Sequence, residues 1–258
     1  MEEEVTDSAF EVPAAVLCAF CGRSDCPGCF AQDGEPHSGV VAIVPWERPE
    51  GGAWSRLWAT ANAATRGAET FFAAIPDGPV RPALRFAVFA ESVAVVSLLL
   101  ALCALAAAAL PRLALEVVLD PGLRHAALRW ILVGTPAVVV WMVLAHGLHA
   151  VAVEAAARRR GGRPCRRRAW RFGLYACGWD LMTGPVGFAG TLLTAGWRAA
   201  AQLCWLSLAV PGMASLCFAR GVCALPEPAA RRARRWGSAA GTLLAVVTAL
   251  AVGVLASL

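Results

Sequence analysis

The chain has 258 residues, of which 58% are hydrophobic, with a net charge of +5 and a mean hydropathy of +0.59. Soluble domains contain about 45–50% apolar residues, so this composition excludes an ordinary soluble domain and predicts a protein of the lipid bilayer. The first eleven residues carry only acidic charges. Such a start lacks the basic and apolar regions of a secretory signal, and we therefore expect the amino terminus to lie in the cytoplasm.

Four cysteines lie close together in "CAFCGRSDCPGC", at Cys18, Cys21, Cys26 and Cys29. Stable disulfides are rare in the reducing cytoplasm, and a repeated Cys-x2-Cys spacing there is typical of a metal site. Four thiolates complete a tetrahedral, structural Zn²⁺ site with bonds of about 2.3 Å. Residues 1–40 are therefore predicted to form a cytoplasmic, zinc-knuckle-like segment that docks a cytoplasmic protein. An iron–sulfur cluster and redox-active thiols are the alternatives.

An amphipathic helix is predicted over residues 54–76, after a linker at 41–53 that contains the hinge-like "PEGG". One face of this helix carries residues that recur at three- and four-residue steps. They are Trp54, Trp58, Ala61, Thr65, Ala68, Phe72 and Ile75. We expect this helix to lie along the bilayer surface, with tryptophan and arginine as interfacial anchors. The alternative is a helix that packs on a small soluble domain.

Long apolar runs fill the rest of the chain, and a helix needs about 20 apolar residues to cross the hydrocarbon. The runs predict five transmembrane helices within 84–258, at 84–110, about 130–153, two within 172–218, and about 236–258. The turn between the third and fourth spans is placed at Gly196-Trp197-Arg198, with a competing break at "MTGPVG". The predicted fold class is therefore an all-α, polytopic helical membrane protein.

Arginine clusters between the spans set the predicted orientation, since cytoplasmic loops collect basic residues. One link holds eight arginines between Arg158 and Arg171, and another holds the cluster Arg231–Arg235. Both links are expected in the cytoplasm, which puts the amino terminus inside and the carboxyl terminus outside. Each basic residue near anionic lipid head groups contributes about 1 kcal/mol. The clusters lack interleaved aromatic residues that would stack on bases, so lipid is the predicted partner and nucleic acid is not.

Three stretches follow one another in a recognisable order. "ETFFAAIPDGPVRPALRFAV" (69–88) is a surface helix with paired phenylalanines before a span. "HGLHAVAVEAAARRRGGRPCRRRAWRFGLYACG" (146–178) joins a second span, a glycine link and a tyrosine-bearing third span. "GPVGFAGTLLTAGW" (184–197) opens on Pro-x-Gly and ends in tryptophan. With this order, residues 54–258 resemble the Yip (Ypt-interacting protein) family of five-span membrane proteins, its bacterial members in particular. Arg198 departs from the family, which continues apolar there.

The resemblance implies a helical membrane domain without known catalysis, placed in the inner (cytoplasmic) membrane of a bacterium. Eukaryotic members associate with Rab-type GTPases and with one another in vesicle traffic or membrane shaping. A role in membrane organisation or in recruiting a cytoplasmic partner is therefore expected, and self-association into a homo-oligomer stays open. The cysteine-rich segment lies outside the resemblance.

Polar side chains at membrane depth are the other candidates, namely His146, His149 and Asp180. The two histidines lie three residues apart on one helical face, and Asp180 can approach them from the third span. The favoured interpretation is hydrogen bonding between spans, or a position near the interface for Glu91, His149 and Glu154. The alternative is a transporter of a proton, a metal ion or a small solute, because intramembrane ionisable groups commonly mark functional sites.

No catalytic signature accompanies these residues. The sequence contains no serine–histidine–acid order, phosphate-binding glycine loop or His-Glu-x-x-His motif, so a non-enzymatic protein is predicted. The cysteines outside the amino-terminal segment are interpreted as small buried hydrophobes. They are Cys103, Cys165, Cys177, Cys204, Cys217 and Cys223.

Overall fold

The computed structural model describes the backbone of Val16–Cys18, of Val40–Ala42 and of residues 44–257, and the side chains of residues 44–250. This part of the chain is helical apart from two short strands. Strands β1 (Val16–Cys18) and β2 (Val40–Ala42) pair antiparallel. Cys18 belongs to β1, whereas Cys21, Cys26 and Cys29 lie outside the described residues, so the predicted zinc segment stays a prediction.

Ten helices follow within the described residues. They are α1 (Ala53–Thr65), α2 (Ala68–Ala73), α3 (Val80–Ala109), α4 (Pro111–Leu119), α5 (Pro121–Arg129), α6 (Thr135–Arg158), α7 (Arg166–Ala176), α8 (Gly178–Thr183), α9 (Pro185–Gly221) and α10 (Glu227–Ser257). A 3-10 turn at Pro45–Glu47 precedes them, and a π turn at Trp130–Gly134 joins α5 to α6. Thr135 and then Pro136 follow the π turn, and the ring nitrogen of Pro136 has no hydrogen to donate to that turn.

Three helical stretches are long and apolar enough to cross a membrane: Val80–Ala109, Pro121–Arg158 and Pro185–Gly221. This agrees with the predicted helical membrane protein in its coarse form. Side chains such as Leu100 and Leu105, each 65% exposed, face outward from the first stretch. The predicted last span runs to Leu258, and its final eight residues lie outside the part of the chain whose side chains are described.

The chain folds back at Gly196, where φ is 81° and ψ is 174° inside α9. Thr191, before this residue, lies 3.4 Å from the Arg66 guanidinium, and Gly221, after it, packs against the backbone of Ala73. An unbroken helix would separate Thr191 from Gly221 by about 45 Å, yet Arg66 and Ala73 are joined by about 10 Å of mostly helical chain. The parts of α9 before and after Gly196 therefore both contact the segment from Arg66 to Ala73. Glycine suits the turn because it alone adopts such a positive φ at little cost.

A second break in the helix lies within "MTGPVG" (182–187), the competing position predicted from the sequence. Helix α8 ends at Thr183, Gly184 is extended (ψ 175°), and α9 begins at Pro185. Proline at the first helical position costs no hydrogen bond, because an amide hydrogen there would have no partner within the helix. The competing breaks at "MTGPVG" and at Gly196 are both real, so residues 166–221 consist of short helical pieces and a helical hairpin.

Helix α10 packs antiparallel along α6 through two glycines spaced four residues apart. A Cβ atom on Gly241 would come within 2.8 Å of the His149 Cα atom, and one on Gly237 within 2.5 Å of the Val153 Cα atom. Further along, the indole of Trp141 donates a hydrogen bond to the Ala245 carbonyl (3.2 Å). Small residues at such positions let two membrane helices approach closely enough for backbone contact.

The predicted surface helix requires a correction, because most of its apolar face is covered by protein, whereas Trp54 is 50% exposed. Ala61, Ala68 and Phe72 are fully buried, and Gly178 of α8 leaves room for Ala61. The indole of Trp179 donates a hydrogen bond of 2.8 Å to the Ala64 carbonyl. Alanine-rich amphipathic helices permit this close packing, and Gly67 divides the predicted helix into α1 and α2. The helix packs on the helical bundle itself and not on a separate small soluble domain, which was the alternative.

Candidate functional site

Four polar side chains from three helices meet inside the bundle, and we call them the polar cluster: Glu91 of α3, His146 of α6, Cys177 directly before α8, and Asp180 of α8. Helix α7 leads directly into Cys177. It lies close against α6 because Gly173 has no side chain; a Cβ atom there would come within 2.5 Å of the His146 carbonyl oxygen. The close approach of these two helices brings Cys177 and Asp180 to His146.

The imidazole of His146 is the centre of the polar cluster. Its Nε2 atom lies 2.8 Å from Asp180 Oδ2 and 3.5 Å from Glu91 Oε1. The Cys177 Sγ atom, a Glu91 carboxylate oxygen and a ring nitrogen of His146 all lie within 4.8 Å of one another. The Trp179 ring packs edge-on against the imidazole, with ring centroids 5.7 Å apart. Two carboxylates, one imidazole and one thiol thus converge on one small volume.

Glu91 is the most unusual member of the polar cluster. Its side chain is completely buried, and neither carboxylate oxygen has a hydrogen-bond partner among the described residues. Burial of an ionised carboxylate without compensation is costly, so the group must carry a proton or face a cation. Asp180, in contrast, is 32% exposed and His146 is 16% exposed. The polar cluster therefore opens to the protein surface on the Asp180 side and is closed at Glu91.

His149 does not belong to the polar cluster. Its Nε2 atom lies 3.1 Å from the Ser215 hydroxyl, and that hydroxyl donates its hydrogen to the Pro211 carbonyl at 2.7 Å. Because a serine hydroxyl has one hydrogen, the His149 Nε2–H must donate to Ser215. The polar side chain of His149 is thus used in a hydrogen bond between α6 and α9. A hydrogen bond between helices was one of the interpretations given in the sequence analysis.

The sequence analysis paired two of these residues correctly and missed two others. His146 and Asp180 meet as predicted, whereas His149 bonds elsewhere. Glu91 was placed near the interface and Cys177 was interpreted as a buried hydrophobe, although both line the polar cluster. The available signal for Glu91 was that it is the one acidic residue within a long apolar run. No local pattern distinguishes Cys177 from the other cysteines.

A buried ion pair joins the segment before α1 to α7. The guanidinium of Arg171 is fully buried and donates to both carboxylate oxygens of Glu47, at 2.7 and 3.0 Å. The Tyr175 hydroxyl donates to the same carboxylate at 2.5 Å, and Arg171 also donates to the Pro79 carbonyl at 2.8 Å. Arg171 was predicted to attract anionic lipid together with the other arginines of its link. That prediction is wrong for Arg171, because Glu47 neutralises it inside the protein.

Part of the predicted linker at 41–53 packs on the bundle, namely residues 44–48, whereas residues 49–53 are exposed. The Trp46 ring contacts Phe86 edge-on at 5.8 Å, and its indole donates to the Pro82 carbonyl at 3.0 Å. The Trp46 amide donates to the Thr60 hydroxyl at 2.8 Å. Residues 44–47 are therefore fixed on the start of α3.

Two links meet at the arginine-rich end of the bundle. The Cys165 and Cys223 sulfur atoms lie 3.2 Å apart, and the Arg163 amide donates to the Cys223 carbonyl at 2.9 Å. The hydrogen bond with Cys223 lowers the pKa of Cys165, and nearby arginines act in the same direction. The same bond and burial raise the pKa of Cys223. Cys165 is thus the more reactive thiol of the pair.

The buried carboxylate of Glu154 lies at the same end. It faces Arg158 at 3.8 Å and Arg166 at 3.6 Å, and both of these arginines are more than half exposed. The Cys165 amide donates to its Oε1 atom at 3.4 Å. Glu154 therefore organises the start of α7 and does not take part in the polar cluster.

A groove of about 870 Å³ runs between α6 and α10. Arginines line one end of it, and alanine, valine and leucine line the remainder together with a tryptophan ring. The residues that give it this character are Arg159, Arg160, Arg232, Trp236 and Leu244. This combination of positive charge, an amphipathic ring and an apolar wall fits the head group and upper chain of an anionic lipid.

No protein-family model matches the chain, and neither a curated protein nor a solved structure matches it. What the site can do chemically is therefore inferred from the residues that form it. The polar cluster combines carboxylate, imidazole and thiol groups, and the groove combines arginines with an apolar wall.

Proposed function

We propose that this chain is a non-enzymatic, five-span membrane protein of Yip-like architecture. It organises the membrane or recruits a cytoplasmic partner through its amino-terminal cysteine segment. The observation that carries the proposal is the fold-back at Gly196. It supports a division of residues 166–221, which contain one of the three long apolar helices, into two antiparallel segments that we assign as two crossings.

The lengths of the two crossings support the proposal. Residues 197–221 span about 37 Å as helix, and the hydrocarbon core is about 30 Å thick. Residues 166–195 contain enough residues for a second crossing, made of α7, α8 and the start of α9. The ends of the hairpin return to one place, since Arg163 and Cys223 are hydrogen-bonded. Both arginine-rich links then lie on one side of the bilayer, as the positive-inside rule requires. Helix α10, antiparallel to α6, supplies the fifth crossing.

The proposed partners follow from the surfaces on that same side. The arginine-lined groove binds anionic lipid head groups, and the predicted four-cysteine zinc segment, which enters the bundle through Glu47, presents a docking surface to a cytoplasmic protein. Glu47 is anchored by Arg171, so the segment is held near the membrane surface. A protein that binds lipid on one flank and a partner on the other organises the membrane without catalysis.

Reporter fusions at three positions test the topology. Alkaline phosphatase, which is active only outside the cytoplasm, is fused after Gly161, Gly196 or Val222, and a fluorescent protein active in the cytoplasm is fused at the same positions. Phosphatase activity is expected at Gly196 alone, with fluorescence at the other two. Fluorescence at Gly196 would show that residues 166–221 do not form two crossings, and the five-span proposal would then be withdrawn.

Recruitment is tested by photo-crosslinking of the full-length protein in native membranes. A partner should be captured by the wild-type chain and lost when Cys18 and Cys21 are replaced by serine, while Cys103→Ser, a variant of an exposed cysteine in α3, retains it. Equal capture by all three proteins would remove the cysteine segment from the proposed docking surface.

A second candidate function, transport, is favoured by one observation, namely the 2.8 Å contact between His146 and Asp180. A histidine–carboxylate pair inside a membrane domain is a common proton-handling arrangement. Asp180→Asn is compared with His149→Gln in proteoliposomes that contain a pH-sensitive dye. Selective loss of proton flux with Asp180→Asn would favour transport. Equal flux in both variants and in empty vesicles would refute it.

A further inference from the structure

We propose that the polar cluster is a binding site for one borderline-soft divalent cation of the Zn²⁺ type, held by Glu91, His146, Cys177 and Asp180. This site is separate from the predicted zinc segment at the amino terminus. The inference goes beyond the proposed scaffold function and does not depend on transport.

The donor atoms select the class of ion. A thiolate and an imidazole favour Zn²⁺ and similar transition metals, whereas Mg²⁺ and Ca²⁺ prefer oxygen ligands alone. Cys177 and His146 supply sulfur and nitrogen, and Glu91 and Asp180 supply carboxylate oxygens. A set with one sulfur, one nitrogen and two oxygens therefore fits a four-coordinate Zn²⁺.

The distances are close to those of a tetrahedral site. Bonds of about 2.0–2.3 Å to zinc place neighbouring ligand atoms about 3.3–3.8 Å apart. His146 Nε2 and Glu91 Oε1 are already 3.5 Å apart, and the Glu91, His146 and Cys177 donor atoms all lie within 4.8 Å. Closure by about 1 Å, within the reach of side-chain rotation, completes the geometry for three ligands.

We assign Asp180 as the fourth donor, next to the three donors that already lie within 4.8 Å of one another. It accepts a hydrogen bond from His146 Nε2 at 2.8 Å, so the same nitrogen faces both carboxylates. When Nε2 binds the ion, it loses that hydrogen, and the Asp180 carboxylate becomes free to bind the ion as well. Asp180 is also the exposed member of the polar cluster and hence marks the entry side.

Glu91 supplies the independent observation that calls for a ligand. Its carboxylate is fully buried, and its two oxygens have no hydrogen-bond partner among the described residues. Buried charges in proteins are paired or coordinate metals. His146 Nε2 lies 3.5 Å from Glu91 Oε1, so both ligands lie at the same level of the bundle.

Binding of the ion has a proton balance that can be measured. The Cys177 thiol loses its proton to solvent on forming a thiolate bond, and a proton on Glu91 is released in the same way. A neutral His146 instead moves its hydrogen from Nε2 to Nδ1, without net release. No oxidation or group transfer is involved. Affinity is accordingly expected to rise with pH.

The test uses the full-length protein in detergent or nanodiscs, with Cys18, Cys21, Cys26 and Cys29 replaced by serine so that the amino-terminal segment cannot contribute. Co²⁺ is titrated as a spectroscopic substitute for Zn²⁺. We expect one equivalent to bind, with near-ultraviolet sulfur-to-cobalt absorption that Zn²⁺ abolishes. Cys177→Ser should remove that absorption.

Ligand and control variants are compared in the same background. Loss of an outer-shell partner costs about 10–100-fold in metal affinity, so Glu91→Gln and His146→Gln should each weaken Co²⁺ binding by more than about 100-fold. His149→Gln on the same helix and Cys165→Ser at the end of the bundle should leave the affinity unchanged. Thermal melting without metal identifies any variant that is not folded.

Two results would overturn the proposal. The first is absence of stoichiometric Co²⁺ binding by the background protein, which requires no cluster variant to interpret. The second is binding that survives Glu91→Gln and Cys177→Ser but is lost with Cys165→Ser, which would assign the ion to the Cys165–Cys223 pair. Neither result bears on the reporter topology, so failure of this inference is distinguishable from failure of the proposed function.

Discussion

Replacement of Glu47 by alanine should destabilise the protein strongly, because it leaves the Arg171 guanidinium buried without a counter-charge. The pair is bidentate, with contacts of 2.7 and 3.0 Å, and the arginine is completely buried while Glu47 is 23% exposed. Removal of one partner of a buried pair costs about 3–5 kcal/mol. Partial exposure of Glu47 and the remaining bond from Arg171 to the Pro79 carbonyl favour the lower end of this range, about 3 kcal/mol.

A double-mutant cycle isolates the pair from the rest of the environment. Arg171→Met removes the buried charge and keeps most of the volume, so Glu47→Ala should cost little more once Arg171→Met is present. The expected coupling energy is about 2 kcal/mol, within the range for groups in contact. As a matched control, Glu227→Ala breaks an exposed pair with Arg231, and we expect no measurable change because exposed pairs contribute little.

The free energy of unfolding is measured by titrating the purified protein in mixed micelles with sodium dodecyl sulfate, followed by tryptophan fluorescence. The reasoning fails if Glu47→Ala changes that free energy by less than about 0.5 kcal/mol, the range of a surface pair. It also fails if the two single variants are additive, since the cycle would then show that the carboxylate and the guanidinium do not interact.

Two further predictions concern the α6–α10 contact and the thiol pair. Gly241→Ala should destabilise the protein by about 1–3 kcal/mol, as overpacking does, because its Cβ atom would lie 2.8 Å from the His149 Cα atom. The control in the same unfolding assay is Gly190→Ala, since there is open space at that position. Equal effects of the two substitutions would contradict the close packing of α6 and α10. Alkylation of Cys165 should reach half its maximal rate at a pH below the ordinary thiol value of about 8.5, because a lowered pKa gives more thiolate at each pH. Cys223→Ala should move that midpoint upward, and an unchanged midpoint measured by mass spectrometry would rule out the hydrogen bond as its cause.

Features carried by composition and by single residues could be predicted from the sequence. Apolar length indicated membrane-crossing helices, and glycine together with the adjacent Trp197 and Arg198 placed the turn that the structure has at Gly196. The pairing of His146 with Asp180 was also predictable, since few polar residues are available inside a membrane domain and each needs a partner.

Features that depend on which surfaces meet could not be predicted in this way. Amphipathicity identified the buried face of α1, but a face that packs on protein has the same pattern as one that packs on lipid. In the sequence, Arg171 is one of eight arginines in the same link. Only its contact with Glu47, 124 residues earlier in the chain, distinguishes it from the other seven. Glu91 and Cys177 were missed for the same reason, because three helices must assemble before they become neighbours.

The attachment of the amino-terminal part to α7 and α8 has a consequence for biogenesis. Glu47 and Ala64 are bonded to residues 124 and 115 positions later, so α1 leaves the ribosome long before its binding surface exists. At about 5–20 residues per second, this interval lasts roughly 6–25 seconds. During that time the apolar face of α1 is uncovered in the newly made chain, and a chaperone or the membrane surface must shelter it until α8 is inserted.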